Sequence, residues 1–124
     1  SVKNNGEATF TLKLFLDGTE VINTTVSIGY SVLNFTNNTA QIGKASTYEF
    51  DGNIDEVAFW DSDQSANVSN IYGSGVPSSL STYSPLTWWR CGDGDASPTL
   101  TDNGSLGNNG TMTNFSTFST DVPT

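Results

Sequence analysis

Residues 48–72 read YEFDGNIDEVAFWDSDQSANVSNIY, and this stretch decides the fold. Ile54, Val57 and Phe59 belong to an apolar-rich run that ends at Asp61, and the run predicts a strand over 50–60. A polar Ser/Asp segment follows and caps a short helix that should turn Ala66, Val68 and Ile71 inward. No other stretch carries a helical signal, so the rest of the chain must form strands and turns.

Working outward, residues 8–16 alternate as ATFTLKLFL and place Phe10, Leu12, Leu14 and Leu16 on one face at period two. Asp17-Gly18 follows, and then 19–22, so LFLDGTEVI predicts a hairpin through a tight Asp-Gly turn. Weaker strands are expected at 24–31 and 38–43. The Gly/Pro/Ser-rich stretch 73–84 reads as a linker and the one seam in the chain. Beyond it, PLTWWRCGDGD predicts a strand over 86–91. A turn-rich loop then leads to a short strand at 111–113, and a polar tail over 114–124 ends on the surface.

With 124 residues and 35% hydrophobic content, the chain supports one small β domain with a modest core. Four Lys and Arg against 13 Asp and Glu give a formal charge of -9, which repels phosphate backbones and anionic membranes. No apolar run approaches the roughly 20 residues of a membrane helix. Neither nucleic acid nor membrane is therefore expected as a partner. The single cysteine, Cys91, cannot close an intrachain disulfide and reads as a small buried hydrophobe. The absence of histidine removes the Ser-His-Asp and Cys-His arrangements and the usual zinc sites.

The phrase Gly52, Ile54, Asp55, Glu56, Val57, Trp60 and Ser65 resembles the penultimate strand and edge helix of laminin G-like domains, in the concanavalin A-like lectin/glucanase superfamily. The hairpin residues Leu14, Phe15, Leu16, Asp17, Gly18 and Val21 match a second family phrase, and Gln41, Ile42 and Gly43 a third. A phrase that usually opens such domains has its likeness at 88–112, near the end, so the chain looks permuted. The edge helix, the linker from Tyr72 to Pro77, the strand with Trp88, Trp89 and Arg90, and the ending Asp121-Val122-Pro123 together resemble structural proteins of tailed phages of aquatic bacteria. Cys91 departs from that pattern where an apolar residue is usual, as do Gly73 and Ser74.

The resemblance implies an all-β fold: a concanavalin A-like, laminin G-like antiparallel jelly-roll β-sandwich with one short edge helix, the C-terminal part of a longer domain. Residues 1–82 would be the C-terminal half of the sandwich, including the edge helix near 64–73, and 83–124 the permuted strand and tail of the same domain. The implied function is a non-catalytic module on a virion surface, in a fibre, spike or capsid decoration, binding host-surface glycans. Other virion proteins and a second copy of the chain are the expected macromolecular partners. The alternative is an architectural role in which the sheet is completed by another chain.

Three sets of residues are candidates for chemistry. Trp60, Trp88 and Trp89 could stack on sugar rings or fill the core. Because adjacent strand residues point to opposite faces, at most one of Trp88 and Trp89 enters the core. Asp55, inside an apolar strand, must find backbone donors, a rim position or a cation, and a structural calcium is the implied cofactor. Asp93, Asp95 and Asp102, set among glycines, read either as turn formers or as an oxygen-rich loop. A glycosidase needs two carboxylates roughly 5 to 9.5 Å apart. The enzyme pattern E-x-D-x-x-E fails here, since starting it at Glu49 puts Ile54 at the second Glu.

Overall fold

The computed structural model describes residues 2–4, 9–27, 40–114 and 117–120. These form small antiparallel sheets with one short α-helix, a β-rich architecture. The expected strand residues 28–31, 38 and 39 and the tail residues 115, 116 and 121–124 lie outside the described residues. The chain divides into two compact units, one comprising Ser1–Leu16 and Glu20–Gly52, the other Asp17–Thr19 and Asn53–Thr124.

Strands β1 (Val2–Asn4), β2 (Thr9–Leu16) and β3 (Thr19–Ser27), which apart from Thr19 belong to the first unit, lie in the order β1-β2-β3. β1 pairs antiparallel with β2 at Val2↔Leu12, Lys3↔Thr11 and Asn4↔Phe10. β2 and β3 join through Asp17-Gly18, whose φ values of 49° and 74° are the left-handed pair that a type I′ turn requires. Asp tolerates this region and Gly adopts it freely, so the predicted hairpin closes on two residues.

The period-two alternation of β2 holds, but its apolar face is covered only at Phe10. Phe10 is buried, whereas Leu14 and Leu16 are 51% and 64% exposed. The intervening Thr11, Lys13 and Phe15 are half-buried, and Lys13 reaches across the hairpin to Glu20 at 3.3 Å. A hairpin closed on two residues sets Leu14 opposite Val21, which extends the open apolar face onto β3.

β4 (Lys44–Ala45) and β5 (Tyr48–Glu49) make a second tight hairpin that the sequence reading did not anticipate. Its Ser46 sits at φ 58°. The described part of the strand expected over 38–43 is instead irregular and bends at Ile42 and Gly43, with Gly43 at φ 79°.

In the second unit, β6 (Val57–Phe59) pairs antiparallel with β7 (Thr87–Trp89), and β8 (Thr99–Leu100) with β9 (Gly110–Thr111). The strand expected over 50–60 is therefore cut to three residues. The cause is Glu56, whose φ of 51° breaks the extended backbone just before Val57 and leaves Ile54 and Asp55 exposed. Likewise Cys91, at φ 53°, ends the strand expected over 86–91 early.

The helical segment is a 3-10 turn over Ser65–Asn67 that runs into α1 (Val68–Tyr72). Asp63 Oδ1 accepts the Ser65 amide at 2.9 Å, so the Ser/Asp segment satisfies one of the orphan donors at this end. Gly73, left-handed at φ 54°, closes the other end. Val68 and Ile71 are half-buried as expected of an inward face, but Ala66 is exposed. Among the described residues of this unit, the buried ones are Leu80, Pro85, Thr87, Trp88, Asp102 and Met112.

Candidate functional site

The β6–β7 register, Val57↔Trp89, Ala58↔Trp88 and Phe59↔Thr87, sorts the aromatic side chains between two faces. Strand alternation puts Val57, Phe59, Thr87 and Trp89 on one face, and Ala58 and Trp88 on the other.

Trp88 is 5% exposed, and its indole N–H donates to Glu56 Oε2. The same carboxylate accepts Arg90 Nε at 3.2 Å on Oε1, and Arg90 also pairs with Asp93. The Arg90 guanidinium lies 5.5 Å from the Trp88 ring centroid, a cation–π distance. Trp88 is thus enclosed by a charged frame and presents no open ring. Trp60 is half-buried, with its indole N–H on the Tyr83 carbonyl at 3.0 Å.

Trp89 is placed differently. It meets Phe59 edge to face, with ring centroids 6.2 Å apart and planes at 79°. Its indole N–H donates to the Asn108 carbonyl at 3.0 Å, which fixes the ring. Phe59 is 54% exposed and Trp89 half-buried, so this perpendicular pair forms an aromatic platform whose open side is Phe59. Phe59 was not singled out by its sequence position. The signal that could have found it is its parity with Val57, opposite Thr87 and one diagonal step from Trp89.

Loop 101–109, between β8 and β9, is sewn onto β7. Asp102 Oδ1 accepts the amides of Trp88 at 2.7 Å and Gly104 at 2.8 Å, and Oδ2 accepts that of Asn108 at 2.6 Å. Asn109 Oδ1 in turn accepts the Asp102 amide at 2.9 Å. The amides of Asn103, Ser105 and Leu106 donate to the carbonyls of Trp88, Pro85 and Leu86. Burial by itself pushes the Asp102 carboxyl up, but the three backbone donors and the Thr87 hydroxyl outweigh it, so its pKa lies below the ordinary value.

Several other acidic side chains also do local structural work. Asp95 accepts the amides of Thr101 at 2.8 Å and Gly92 at 3.2 Å, and Glu49 pairs with Lys44 at 2.6 Å. The Lys44 hydrogen bond and charge hold the Glu49 carboxyl below its usual range. Asp55 is exposed, and its Oδ1 accepts the Glu56 amide at 2.9 Å. Among the described residues, no three His, Cys, Asp or Glu side chains are grouped so that they could hold a metal ion. Cys91 is half-buried, and burial first, with the charge of Asp55 next, raises its thiol pKa.

No family model, curated protein or solved structure matches this chain.

Proposed function

We propose that this chain is a non-catalytic, laminin G-like module of a tailed-phage virion structural protein, in a fibre, spike or capsid decoration, that binds host-surface glycans through the Phe59–Trp89 platform. The observation that carries the reading is this fixed aromatic pair with an open side, since an aromatic face covers the apolar face of a sugar ring. The jelly-roll sandwich is proposed with it. Its support is the agreement between family phrases and local structure: the Asp17-Gly18 hairpin, the Val57–Phe59 strand paired with Thr87–Trp89, and the short helix that follows in sequence at Val68–Tyr72. The placement on a virion stands on the sequence resemblance alone. The non-catalytic reading is supported by carboxylates that serve backbone amides, Trp88, Arg90 and Lys44.

A glycan array tests this reading, with Phe59→Ala and Trp89→Ala as controls. Binding by the parent chain that both variants lose, with their circular dichroism unchanged, is the expected result. Binding indifferent to both substitutions overturns the platform, and release of reducing sugar from the bound polysaccharide overturns the non-catalytic reading.

The open face with Leu14, Leu16 and Val21 favours a second, architectural reading, in which another virion chain covers this sheet. Under it, Leu14→Lys with Leu16→Lys should abolish incorporation into assembled particles while leaving glycan binding intact. Normal incorporation of the double variant rejects it.

A further inference from the structure

We infer that the β4–β5 hairpin carries a second subsite for glycan, an aromatic cleft selective for uncharged sugars. The inference rests on the glycan-binding reading and extends it to residues remote in sequence from the Phe59–Trp89 platform.

Tyr48 and Phe50 stand two positions apart, so an extended backbone places both on one side, roughly 7 Å apart. They are 80% and 59% exposed. Phe50 donates its amide to the Gly43 carbonyl at 2.9 Å, which continues the hairpin ladder beyond Lys44↔Glu49 and sets a residue without a side chain opposite a large ring. The result is an open cleft of about 340 Å³ lined by Gly43, Lys44, Tyr48, Glu49 and Phe50.

One wall of this cleft is held in place. The Phe50 ring folds over Gly52 so closely that a Cβ there would come within 2.9 Å of Phe50 Cε1. A single exposed aromatic side chain is unremarkable, but two on one side of a short hairpin, with one ring seated on a glycine, offer apolar surface on which a ligand can rest.

Charge selects the ligand. The cation lining the cleft, Lys44, is neutralised by Glu49 at 2.6 Å, Asp51 follows Phe50 directly, and the chain carries -9 overall. An anionic sugar would be repelled, whereas a neutral pyranose can stack on Tyr48 or Phe50.

The test is a titration of the whole chain with cellohexaose, and in parallel with a polygalacturonate hexamer, followed by amide and indole NMR shifts. Trp60, Trp88 and Trp89 all lie in the second unit, so indole shifts report on the platform and the amides of Gly43, Lys44 and Glu49 on the cleft. Cellohexaose should move the cleft amides. Tyr48→Ala should weaken that response at least tenfold, and Gly52→Ala, which displaces the Phe50 ring, should weaken it severalfold. Shifts confined to the Trp89 indole and its neighbours would overturn the cleft while sparing the platform, and silence at both places would overturn both. Equal or stronger cleft shifts with the uronate hexamer would overturn the charge argument.

Discussion

The Asp102 carboxylate accepts the backbone N–H of Trp88 at 2.7 Å, tying the turn-rich loop to the middle of β7 across 14 positions of sequence. Because this carboxylate is buried and also serves Gly104 and Asn108, replacing it with Asn sets an amide NH₂ against one of those N–H donors. Asp102→Asn should cost about 2–3 kcal/mol. By urea unfolding the midpoint should fall accordingly, and a change below the error of the measurement would show that the loop is held by something else.

The same carboxylate gives a pH dependence with a defined sign. Its folded pKa lies below its unfolded value, which is about 3.9 for Asp. Its contribution is therefore complete above the unfolded pKa and is lost as pH falls through the folded one. The stability difference between the parent and Asp102→Asn should be constant near neutrality and shrink below about pH 4. A difference that widens on acidification would reverse the assignment.

Gly104 is required for a steric reason rather than a conformational one. A Cβ at this position would lie 2.5 Å from the Leu86 carbonyl oxygen and 2.6 Å from Thr87 Cα, both backbone atoms that cannot swing aside. Gly104→Ala should therefore destabilise by about 2 kcal/mol or more. Gly94→Ala meets no atom within 4 Å but stands at φ 83°, so it should cost only the left-handed penalty of about 1 kcal/mol. Thermal melts of the two variants rank them, and the reverse order would reject the close approach.

Where a residue type dictates its own backbone, the sequence was readable. Asp17-Gly18 announced a two-residue turn because few other pairs accept two positive φ values, and Trp88-Trp89 had to divide between faces because strand side chains alternate. The short helix was readable from Val68 and Ile71, whereas neither N-cap residue, Gln64 or Asn67, makes a side-chain capping bond and Ala66 stays exposed. What escaped is set by distant contacts. Nothing in IDEV says that Glu56 adopts φ 51° and truncates the strand, since the carboxylate's partners, Trp88 and Arg90, lie more than 30 positions away. Nor does alternation in β2 reveal which of its faces is covered.

Glu56 unites two opposing effects that substitution can separate. Glu56→Ala leaves the buried Trp88 indole N–H without its acceptor and Arg90 without one carboxylate partner, at a cost of about 1–3 kcal/mol. Glu56→Gly loses the same interactions but relieves a left-handed conformation that costs a side-chain-bearing residue about 1 kcal/mol. The glycine variant should therefore unfold at higher urea than the alanine variant, contrary to the usual ranking of the two residues. The usual ranking, if observed, would mean that the backbone at position 56 relaxes once the carboxylate is gone.

Cys91 should be an unreactive thiol. Burial is the main cause of its raised pKa, the Asp55 charge adds to it, a backbone hydrogen bond from Val57 opposes it, and Asp95 and Glu56 contribute further in the raising direction. Since the thiolate is the reacting form, a raised pKa lowers its population at any pH below that value, and partial burial slows access as well. At pH 8, modification by a chromogenic disulfide reagent should proceed at least tenfold more slowly in the folded chain than in urea, where the thiol returns to an ordinary pKa of about 8.5. Asp55→Asn should recover part of the difference by removing an exposed negative charge, with little effect on the melting temperature. A folded-state rate equal to the unfolded one would show that the segment around Cys91 opens faster than the reagent attacks.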